Sequence, residues 1–369
     1  MTDQTVRMDA GALRDFMQRV FVGLGVPPAD ADVCADVLAE ADKRGIDSHG
    51  VNRCKPVYYD RIRAGVLEPV TRFEVVRDRK AVAVVDGHNG MGHVIAHRCM
   101  QMAIAKARDH GLGMVAARNS THYGIAGYYV LMAVRAGMIG ITGTNARPSI
   151  APTFGVENLL GTNPLTFGMP TDEAFPFVLD CATSVTQRGK IEFYDRAGKE
   201  IPEGWVIDRE GRTRTDTHRI LEDLVTGAAA LVPLGGTGEE TAGYKGYGYA
   251  TVVEILSTAL QSAKTMKALT GVRNGTKVPI ELGHFFIAID VAAFTEPETF
   301  RRNCGEILRT LRRSAKAPGR DRIYTAGEKE HLAWLERREK GIPIPPGVQD
   351  DMTAMRDELG LREAAFPWE

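Results

Sequence analysis

The sequence is poor in cysteine, and its few cysteines are arranged unlike those of a disulfide-stapled domain. There are five, an odd number, and no two have Cys-x-x-Cys spacing, which disfavours both a disulfide framework and a cysteine-ligated zinc site. Thiols that stay reduced are typical of a cytoplasmic protein. The first ten residues also lack the apolar run of a signal peptide, so the sequence predicts a cytoplasmic location.

Long apolar stretches and a large net charge are missing as well. Nowhere does the sequence hold the roughly 20 apolar residues that a membrane-spanning helix needs. Its 46 Lys and Arg residues balance 47 Asp and Glu residues, and a net charge of -1 creates no field that would recruit nucleic acid or an acidic membrane. The arginines between 301 and 313 are therefore predicted to form a solvated helix surface, and we expect small-molecule partners.

Common nucleotide- and metal-binding motifs are absent from the sequence. None of the 39 glycines lies in a strand, Gly-x-Gly-x-x-Gly, helix context, and there is neither a Walker loop nor a His-Glu-x-x-His helix. The turn 87–92 lies between a predicted strand and a predicted helix, but its glycine spacing is wrong. His93 and His97 are one helical turn apart near His88, yet no acidic residue joins them at useful spacing. We predict a polar helix entry there and no metal.

Apolar periodicity predicts an α/β protein. Two amphipathic helices come first, one capped by Asp9 and one opened by Pro27 and Pro28, and a short third helix covers 58–64. Residues 186–243 are expected to form an ordered excursion covering a site, and 341–347 a stiff linker into a last helix. The other predicted helices are 93–110, 127–136, 246–264 and 297–314, and the predicted strands are 73–76, 82–85, 113–117, 138–143, 177–180 and 284–291.

Two histidines lie among glycines and small polar residues, where a ligand could reach the imidazole. His49 is in Ser48-His49-Gly50, just after a predicted helix, and His122 is in residues 119–124 (Asn-Ser-Thr-His-Tyr-Gly). With an ordinary pKa of about 6.5, histidine can both accept and donate a proton near neutral pH. The pair indicates proton-coupled chemistry, although most loop histidines only make hydrogen bonds.

Six segments in the sequence carry a family resemblance. They are 46–53 (Ile-Asp-Ser-His-Gly-Val-Asn-Arg), 86–92 (Asp-Gly-His-Asn-Gly-Met-Gly), 119–124, 161–165 (Gly-Thr-Asn-Pro-Leu), 179–184 (Leu-Asp-Cys-Ala-Thr-Ser) and 245–248 (Lys-Gly-Tyr-Gly). In this order and spacing, they resemble the malate/L-lactate dehydrogenase family. That family is distinct from the Rossmann-type lactate and malate dehydrogenases, and it includes ureidoglycolate, sulfolactate and diketogulonate dehydrogenases and a cyclic-imine reductase.

The resemblance implies a fold and a cofactor. It implies a non-Rossmann α/β domain with a mixed sheet, a nicotinamide cofactor (NAD, with NADP possible) and a homodimer. It also implies a mainly helical unit of residues 1–75 and 315–369 that carries the Ser-His-Gly motif. Residues 76–314 would form the unit that binds cofactor and substrate. The missing glycine fingerprint is explained by this different fold.

The resemblance also implies roles for single residues. His122 matches the family's proton acceptor, His49 a proton donor of some members, and Arg53 an arginine that meets the substrate carboxylate through its planar fork. Ser48 either caps the loop backbone or bonds to substrate or His49. Arg147 could supply a second positive group for a diacid or a sulfonate.

The expected cofactor residues lie at strand ends and glycine turns, where backbone amides can meet phosphate and ribose oxygens. The sequence departs from the family in 237–243, which lengthens the approach to Lys245, and in Ala326, which stands where proline is common. For Asp180 a helix or turn cap is an equal alternative. The residues expected to bind the cofactor are Ala146, Asp180, Cys181, Ala182, Tyr244, Lys245, Gly327 and Glu328.

The function that follows is hydride transfer between NAD(P) and a small 2-hydroxy acid or its 2-oxo acid, such as malate or lactate. Such a reaction needs a base for the hydroxyl proton and an anchor for the carboxylate, while the cofactor carries the hydride. A cyclic imino acid reductase is the neighbouring alternative, since it needs the same anchor but protonates nitrogen. A non-catalytic nucleotide-binding protein is disfavoured by intact His49, Arg53 and His122.

Overall fold

The computed structural model describes residues 5–196 and 198–369, and its largest element is a seven-stranded mixed sheet. None of the helices in these ranges has the length and apolarity needed to span a membrane. The helices are α1 (Ala10–Gly23), α2 (Pro28–Lys43), α3 (Asp60–Arg63), α4 (Gly92–His110), α5 (Gly127–Arg135), α6 (Arg188–Arg196), α7 (Thr217–Thr226), α8 (Gly243–Thr258), α9 (Pro297–Arg313), α10 (Glu328–Lys340) and α11 (Pro346–Leu359). The strands are β1 (Val6–Met8), β2 (Glu74–Arg79), β3 (Val82–Asp86), β4 (Leu112–Ser120), β5 (Met138–Thr144), β6 (Leu165–Met169), β7 (Phe177–Cys181), β8 (Val206–Asp208), β9 (Thr213–Arg214), β10 (Ala229–Leu231), β11 (Val272–Arg273), β12 (Thr276–Lys277), β13 (Leu282–Asp290) and β14 (Ile342–Ile344).

The large sheet has the strand order β2-β3-β4-β13-β5-β6-β7. Strands β3 and β4 pair in parallel, and the other neighbours pair antiparallel. Apolar residues of α4, such as Ile95 and Met100, pack against the sheet in one buried cluster with Phe286 of the central strand β13. This mixed sheet confirms the predicted α/β class and its non-Rossmann topology.

Four strands of the sheet, β3, β4, β5 and β7, end at the same edge. Strands β4 and β5 both pair antiparallel with β13 and so run in one direction. At the other side, Leu165 of β6 lies opposite both Gly143 of β5 and Cys181 of β7, so β7 shares that direction. The loops that follow β4, β5 and β7 therefore begin next to one another. This arrangement gathers polar loop residues that are far apart in sequence.

The two ends of the chain form a helical unit together. Strand β1 pairs with β14, with Val6 opposite Ile344, and α1 begins where the Asp9 carboxylate accepts the N–H of Ala12 at 2.9 Å. The predicted linker 341–347 is wrong, because its apolar Ile side chains are buried in a two-stranded ribbon and Pro346 opens α11. One buried cluster contains Leu13, Phe16, Val20, Phe21, Leu38, Tyr58, Ile342, Ile344, Met352 and Met355.

The excursion has a core of its own. Strands β10, β8 and β9 form a small antiparallel sheet, and α6 and α7 cover it through Ile191, Ile220 and Leu224. Trp205 packs at the border of this core. The described residues of this segment therefore have regular structure and a core, and the expectation that the segment covers a site stays a prediction. The division into units 1–75 with 315–369 and 76–314 stays a prediction.

Several predicted boundaries differ from the structure. Helix α8 begins at Gly243 and ends at Thr258, short of residue 264, because a 3-10 turn (Ala259–Gln261) follows and Ser262 has a positive φ of 58°. The third helix starts earlier than expected, as a π-helical turn (Cys54–Tyr59) that continues into α3. Strand β6 was not predicted from the sequence.

Candidate active site

His122 lies two residues beyond the end of β4, in a loop held by close backbone contacts. A Cβ atom on Gly92, the first residue of α4, would lie 2.4 Å from the carbonyl oxygen of His122, so only glycine fits there. The hydroxyl of Thr121 accepts the N–H of Gly92 at 2.9 Å and donates to the carbonyl of Gly90 at 2.8 Å. The turn 87–92 thus fixes the histidine loop.

The Nδ1 atom of His122 is contacted from two sides. The hydroxyl of Tyr58 lies 2.5 Å from it, and the backbone N–H of Gly124 donates to it at 3.3 Å. An amide N–H can only donate, so Nδ1 is an acceptor and the proton of the neutral ring lies on Nε2. Within the described ranges, Nε2 has no hydrogen-bond partner. It is the nitrogen left for a ligand.

His49 faces His122 from the helical unit. It ends a short 3-10 turn (Asp47–His49), and its ring centroid lies 5.7 Å from that of His122, with the two planes 23° apart. The Ser48 hydroxyl lies 2.9 Å from Nδ1 of His49, so Ser48 orients the neighbouring ring. The structure thereby brings together a histidine from each of the two predicted units.

Arg53 is fixed by the same loop. Its Nε donates to the carbonyl of Ser48 at 2.6 Å, and its Nη2 lies 3.8 Å from the carboxylate of Glu192 on α6. An ideal Cβ on Gly189 would lie 3.0 Å from Nη2, so the first turn of α6 packs against the guanidinium. The guanidinium is only partly engaged, which leaves N–H groups for a carboxylate.

Burial and positive neighbours keep both histidines neutral at physiological pH. Burial and the charge of Arg53 lower the pKa of His49 to about 4. Burial, His49 and His93 lower the pKa of His122 well below 6.5. A histidine without its proton can serve as a base, so the electrostatics suit proton removal from an alcohol.

A cavity of about 420 Å³ begins at His49 and runs along the end of β7. The predicted cofactor residues Asp180, Cys181 and Ala182 line it, so the structure brings these three to the histidine pair. The carboxylate of Asp180 accepts the N–H of Gly127 at 2.6 Å and the hydroxyl of Thr166 at 3.0 Å. Asp180 therefore caps the start of α5, and both of its carboxylate oxygens have partners within the protein.

The other expected cofactor residues are not among those that line this cavity. Lys245 and Tyr244 lie in the exposed first turn of α8, and the adjacent Gly246 packs on the backbone of Leu234, which lines the cavity. The backbone N–H of Ala146 is taken by the side-chain oxygen of Asn163 at 3.2 Å. Neither Ala146 nor Lys245 is among the residues that line the cavity.

The carboxylate of Glu328 has partners within the protein. Its carboxylate is bound by Arg322 and by the N–H of Thr325, at the N-terminus of α10. Gly327 has a positive φ of 90° and packs against the backbone at Pro176. The acid of this helix that does line the cavity is Glu330, which sequence reasoning missed.

Three further residues at the site were missed, and each would have required knowledge of the fold. Tyr58 reaches His122 from a different element, and Gln187 and Lys190 reach the cavity from α6 and the loop before it. The amide of Gln187 donates to the hydroxyl of Ser48 at 3.4 Å. The only sequence signal was the expectation that 186–243 covers a site.

Arg147 stands apart from the histidine cavity. It lines a separate depression of about 250 Å³ with Arg209 and Lys267. Burial and the nearby charge of Arg188 lower its pKa. The structure records no contact between Arg147 and the residues around His49 and His122 in the described ranges.

His88 and the arginine-rich helix α9 have charged partners, whereas the buried His93 has no hydrogen bond in the described ranges. His88 pairs with Glu74 at 2.7 Å, and His93 is fully buried beside Tyr58. The described residues contain no group of three or more His, Cys, Asp or Glu residues that could hold a metal ion. On α9, Arg309 pairs with Asp172 at 2.9 Å, as one of several ion pairs that neutralise this face.

Comparisons with known proteins agree with the geometry. The sequence matches the family model described as malate/L-lactate dehydrogenase over residues 8–353. It is 43% identical over 356 residues to the malate dehydrogenase of Pyrococcus horikoshii, covering 96% of each chain. It is 37% identical over 337 residues to the L-sulfolactate dehydrogenase of Methanocaldococcus jannaschii, covering 91% of this chain and 92% of that one. The crystal structure of malate dehydrogenase from Entamoeba histolytica superposes with a TM-score of 0.95 at 42% identity, covering 99% of this chain and 100% of that chain.

Proposed function

Because the chain belongs to the malate/L-lactate dehydrogenase family and is a 2-hydroxy acid dehydrogenase, we propose that it oxidises malate with NAD. The similar malate dehydrogenases favour malate over lactate and over a cyclic imino acid. The observation that carries the proposal is the histidine pair, with His49 and His122 5.7 Å apart and Arg53 bonded to the loop of His49. This pair supplies a proton acceptor and a carboxylate anchor in one place.

In this proposal Arg53, His122 and His49 each have a different role. Arg53 binds the carboxylate next to the reacting carbon and thereby fixes which face of the substrate is presented. For oxidation His122 must first change tautomer, because Nε2 can take the hydroxyl proton only when the ring proton lies on Nδ1 and is donated to the Tyr58 oxygen, in place of the contact with the Gly124 N–H. His49, held by Ser48, contacts the same oxygen from the other side. In the reverse direction, the Nε2–H of neutral His122 is already placed to donate.

The cavity beside His49 fits a nicotinamide nucleotide. The family depends on a pyridine nucleotide, which when bound accepts the hydride from the alcohol carbon. The wall holds a buried Thr186 hydroxyl with no partner in the described ranges, which a polar ligand would satisfy. We assign the nicotinamide side to Asp180, Cys181 and Ala182. The rest of the nucleotide we assign to Ala146, Tyr244, Lys245, Gly327 and Glu328.

The proposal includes a homodimer. On α8 the side chains of Tyr249, Val252 and Ile255 are each about half exposed and share one face. A helix that is apolar on its outer face is usually covered by another surface. A second copy of this chain is the occupant we propose.

A cytoplasmic location is the last part of the proposal. All five cysteines are free, and Cys34, Cys54 and Cys99 are fully buried. Burial raises the pKa of Cys54 to about 12, which keeps the thiol protonated and inert. A set of unpaired thiols supports a reducing compartment.

The reaction is tested by following absorbance of reduced nicotinamide. We expect reduced nucleotide to appear with malate and NAD, at a higher kcat/KM than with NADP or with lactate. Arg53→Lys keeps the charge but loses the fork, so it should lower kcat/KM for malate more than for a simple alcohol. Absence of turnover with any 2-hydroxy acid, together with oxidation of reduced nucleotide by a cyclic imine, would refute the proposal.

A further inference from the structure

A substrate with two acidic groups needs two cations in one site. Arg53 accounts for the carboxylate beside the reacting carbon. The second cation should line the same cavity as His49 and lack an acidic partner of its own. Arg147 meets the second condition but lies in another depression. The structure contains a better candidate on α6.

Lys190 lines the 420 Å³ cavity together with His49. It also borders a larger space of about 710 Å³ on the far side of Ser48, so it stands in the wall between the two. The preceding Gly189 packs on Arg53 and on Ser48, with a Cβ position 3.0 Å from Nη2 and 3.4 Å from the serine Cβ. Lys190 is therefore next in sequence to a residue that lies close to the carboxylate anchor.

The charge of Lys190 is uncompensated. Its ammonium lies over the ring of Trp205, 4.7 Å from the centroid, and has no carboxylate within ion-pair distance in the described ranges. The nearest acid on the helix, Glu192, pairs with Arg188 at 2.9 Å and faces Arg53 at 3.8 Å. The aromatic ring fixes the cation without neutralising it. An anion is the ligand that this arrangement favours.

We propose that Lys190 binds the distal acidic group of the substrate and makes the enzyme prefer 2-hydroxy acids with two negative charges over monocarboxylates. Arg53 and Lys190 then hold the two ends of the molecule, with the histidine pair at the reacting carbon. The distal group is a carboxylate or a sulfonate, because both present oxygens to an ammonium. This inference deepens the proposed function and rests on it.

The test compares Lys190→Met with Arg147→Met. Both changes remove a cation that lacks an acidic partner, but only Lys190 lines the cavity with His49. For Lys190→Met we expect KM for malate to rise about tenfold, the usual weight of a hydrogen bond to a charged group, while kcat/KM for lactate stays within twofold. Lys190→Arg should recover most of the malate affinity. Arg147→Met should change neither substrate.

Other outcomes would overturn the inference. An equal loss with malate and lactate would make Lys190 structural, and a raised KM for NAD alone would assign its charge to the nucleotide phosphates. A malate-specific loss in Arg147→Met would return the role to that residue. Malate binding to wild type and to Lys190→Met can be measured by calorimetry, which needs no turnover. If the wild type binds malate without oxidising it and Lys190→Met does not bind it, only the proposed reaction is refuted. Equal malate binding by both proteins would refute the role of Lys190.

Discussion

Two pairs of histidines in this protein have low pKa values for the same reason but different neighbours. His49 and His122 face each other, and His49 lines the cavity, while His93 and His284 are fully buried and are not among its lining residues. Burial lowers the pKa of all four. In His284 both ring nitrogens are taken, by Thr144 and Ser120 at 2.7 Å each. In the cavity pair only Nδ1 is taken in the described structure, and Nε2 is free.

The difference shows that a shifted pKa does not by itself mark a catalytic histidine. What distinguishes the cavity pair is one nitrogen held in place and one left for a ligand. His93 is a third case, because neither of its nitrogens has a partner in the described ranges. Burial without a partner makes a histidine a cost to stability, whereas burial with one free, accessible nitrogen makes it useful chemically.

The largest expected effect is on kcat, and it distinguishes a substitution of His122 from one of His284. His122→Asn should lower kcat by about 100-fold or more, the usual weight of a general base, with little change in melting temperature. His284→Asn should instead leave Ser120 and Thr144 short of partners and lower the free energy of unfolding by about 1–3 kcal/mol. Turnover per folded molecule and thermal melts measure both. A reversal of the two patterns would contradict the assignment.

The next effect concerns Tyr58, which contacts Nδ1 of His122. Tyr58→Phe removes the hydroxyl and should lower kcat/KM about tenfold. The factor must be the same for oxidation and reduction, because the overall equilibrium of the reaction is unchanged. Tyr59→Phe is the matched control, since the Tyr59 hydroxyl bonds to Glu358 in the helical unit. Equal behaviour of the two variants would remove Tyr58 from the site chemistry.

His93 should contribute to the loss of stability of the protein as the pH falls. Its folded pKa is lowered to about 3, against about 6.5 when unfolded, so the unfolded chain binds the extra proton between these values. Stability is therefore full above pH 6.5 and falls as pH drops, by up to about 1.4 kcal/mol per pH unit from this residue. His93→Leu should flatten urea-unfolding stability between pH 6.5 and 5. An unchanged slope would show that other groups set the acid limit.

The smallest expected effect is an absence of pH dependence. With the pKa of His49 at about 4 and that of His122 well below 6.5, the base stays deprotonated below the usual range for histidine. We expect kcat/KM for oxidation to change less than twofold between pH 8 and about 5.5, where an ordinary histidine would lose about tenfold. A break near pH 6.5 would show that a histidine with ordinary pKa is the base.

The sequence predicted the parts that local pattern determines. Most helices and strands with regular apolar spacing were located within a few residues. Strand β6 was missed because it is five residues long and contains Gly168, which packs closely on Val130. The ribbon of β1 and β14 was missed because its pairing joins residues more than 330 positions apart. Such pairs leave no local signal.

In the candidate active site, too, residues in local motifs could be predicted from the sequence, whereas contacts between distant segments could not. His49, His122 and Arg53 stand in recognisable segments, and the structure brings them together. Tyr58 and Lys190 matter because of where the fold puts them, and no spacing in the sequence reveals that. For Asp180 the sequence left a helix cap as an alternative to a cofactor contact, and its carboxylate does accept the N–H of Gly127 at the start of α5. The carboxylate of Glu328 likewise accepts a backbone N–H at the start of α10, and the cofactor contacts of both residues stay predictions. A carboxylate near a site can be placed from sequence, whereas its partner cannot.

The β1–β14 ribbon determines the order in which parts of the protein can fold during synthesis. Residues 342–344 are made more than 330 positions after residues 6–8, yet they pair with them and share a buried core with the helix before His49. The α/β part can fold while the chain is still growing, since its strands are all made by residue 290. The helical unit that carries the loop of His49 and Arg53 is completed only when residues 342–344 have been made. A nascent chain stalled before residue 342 would thus carry a formed sheet and His122, but no completed place for the substrate.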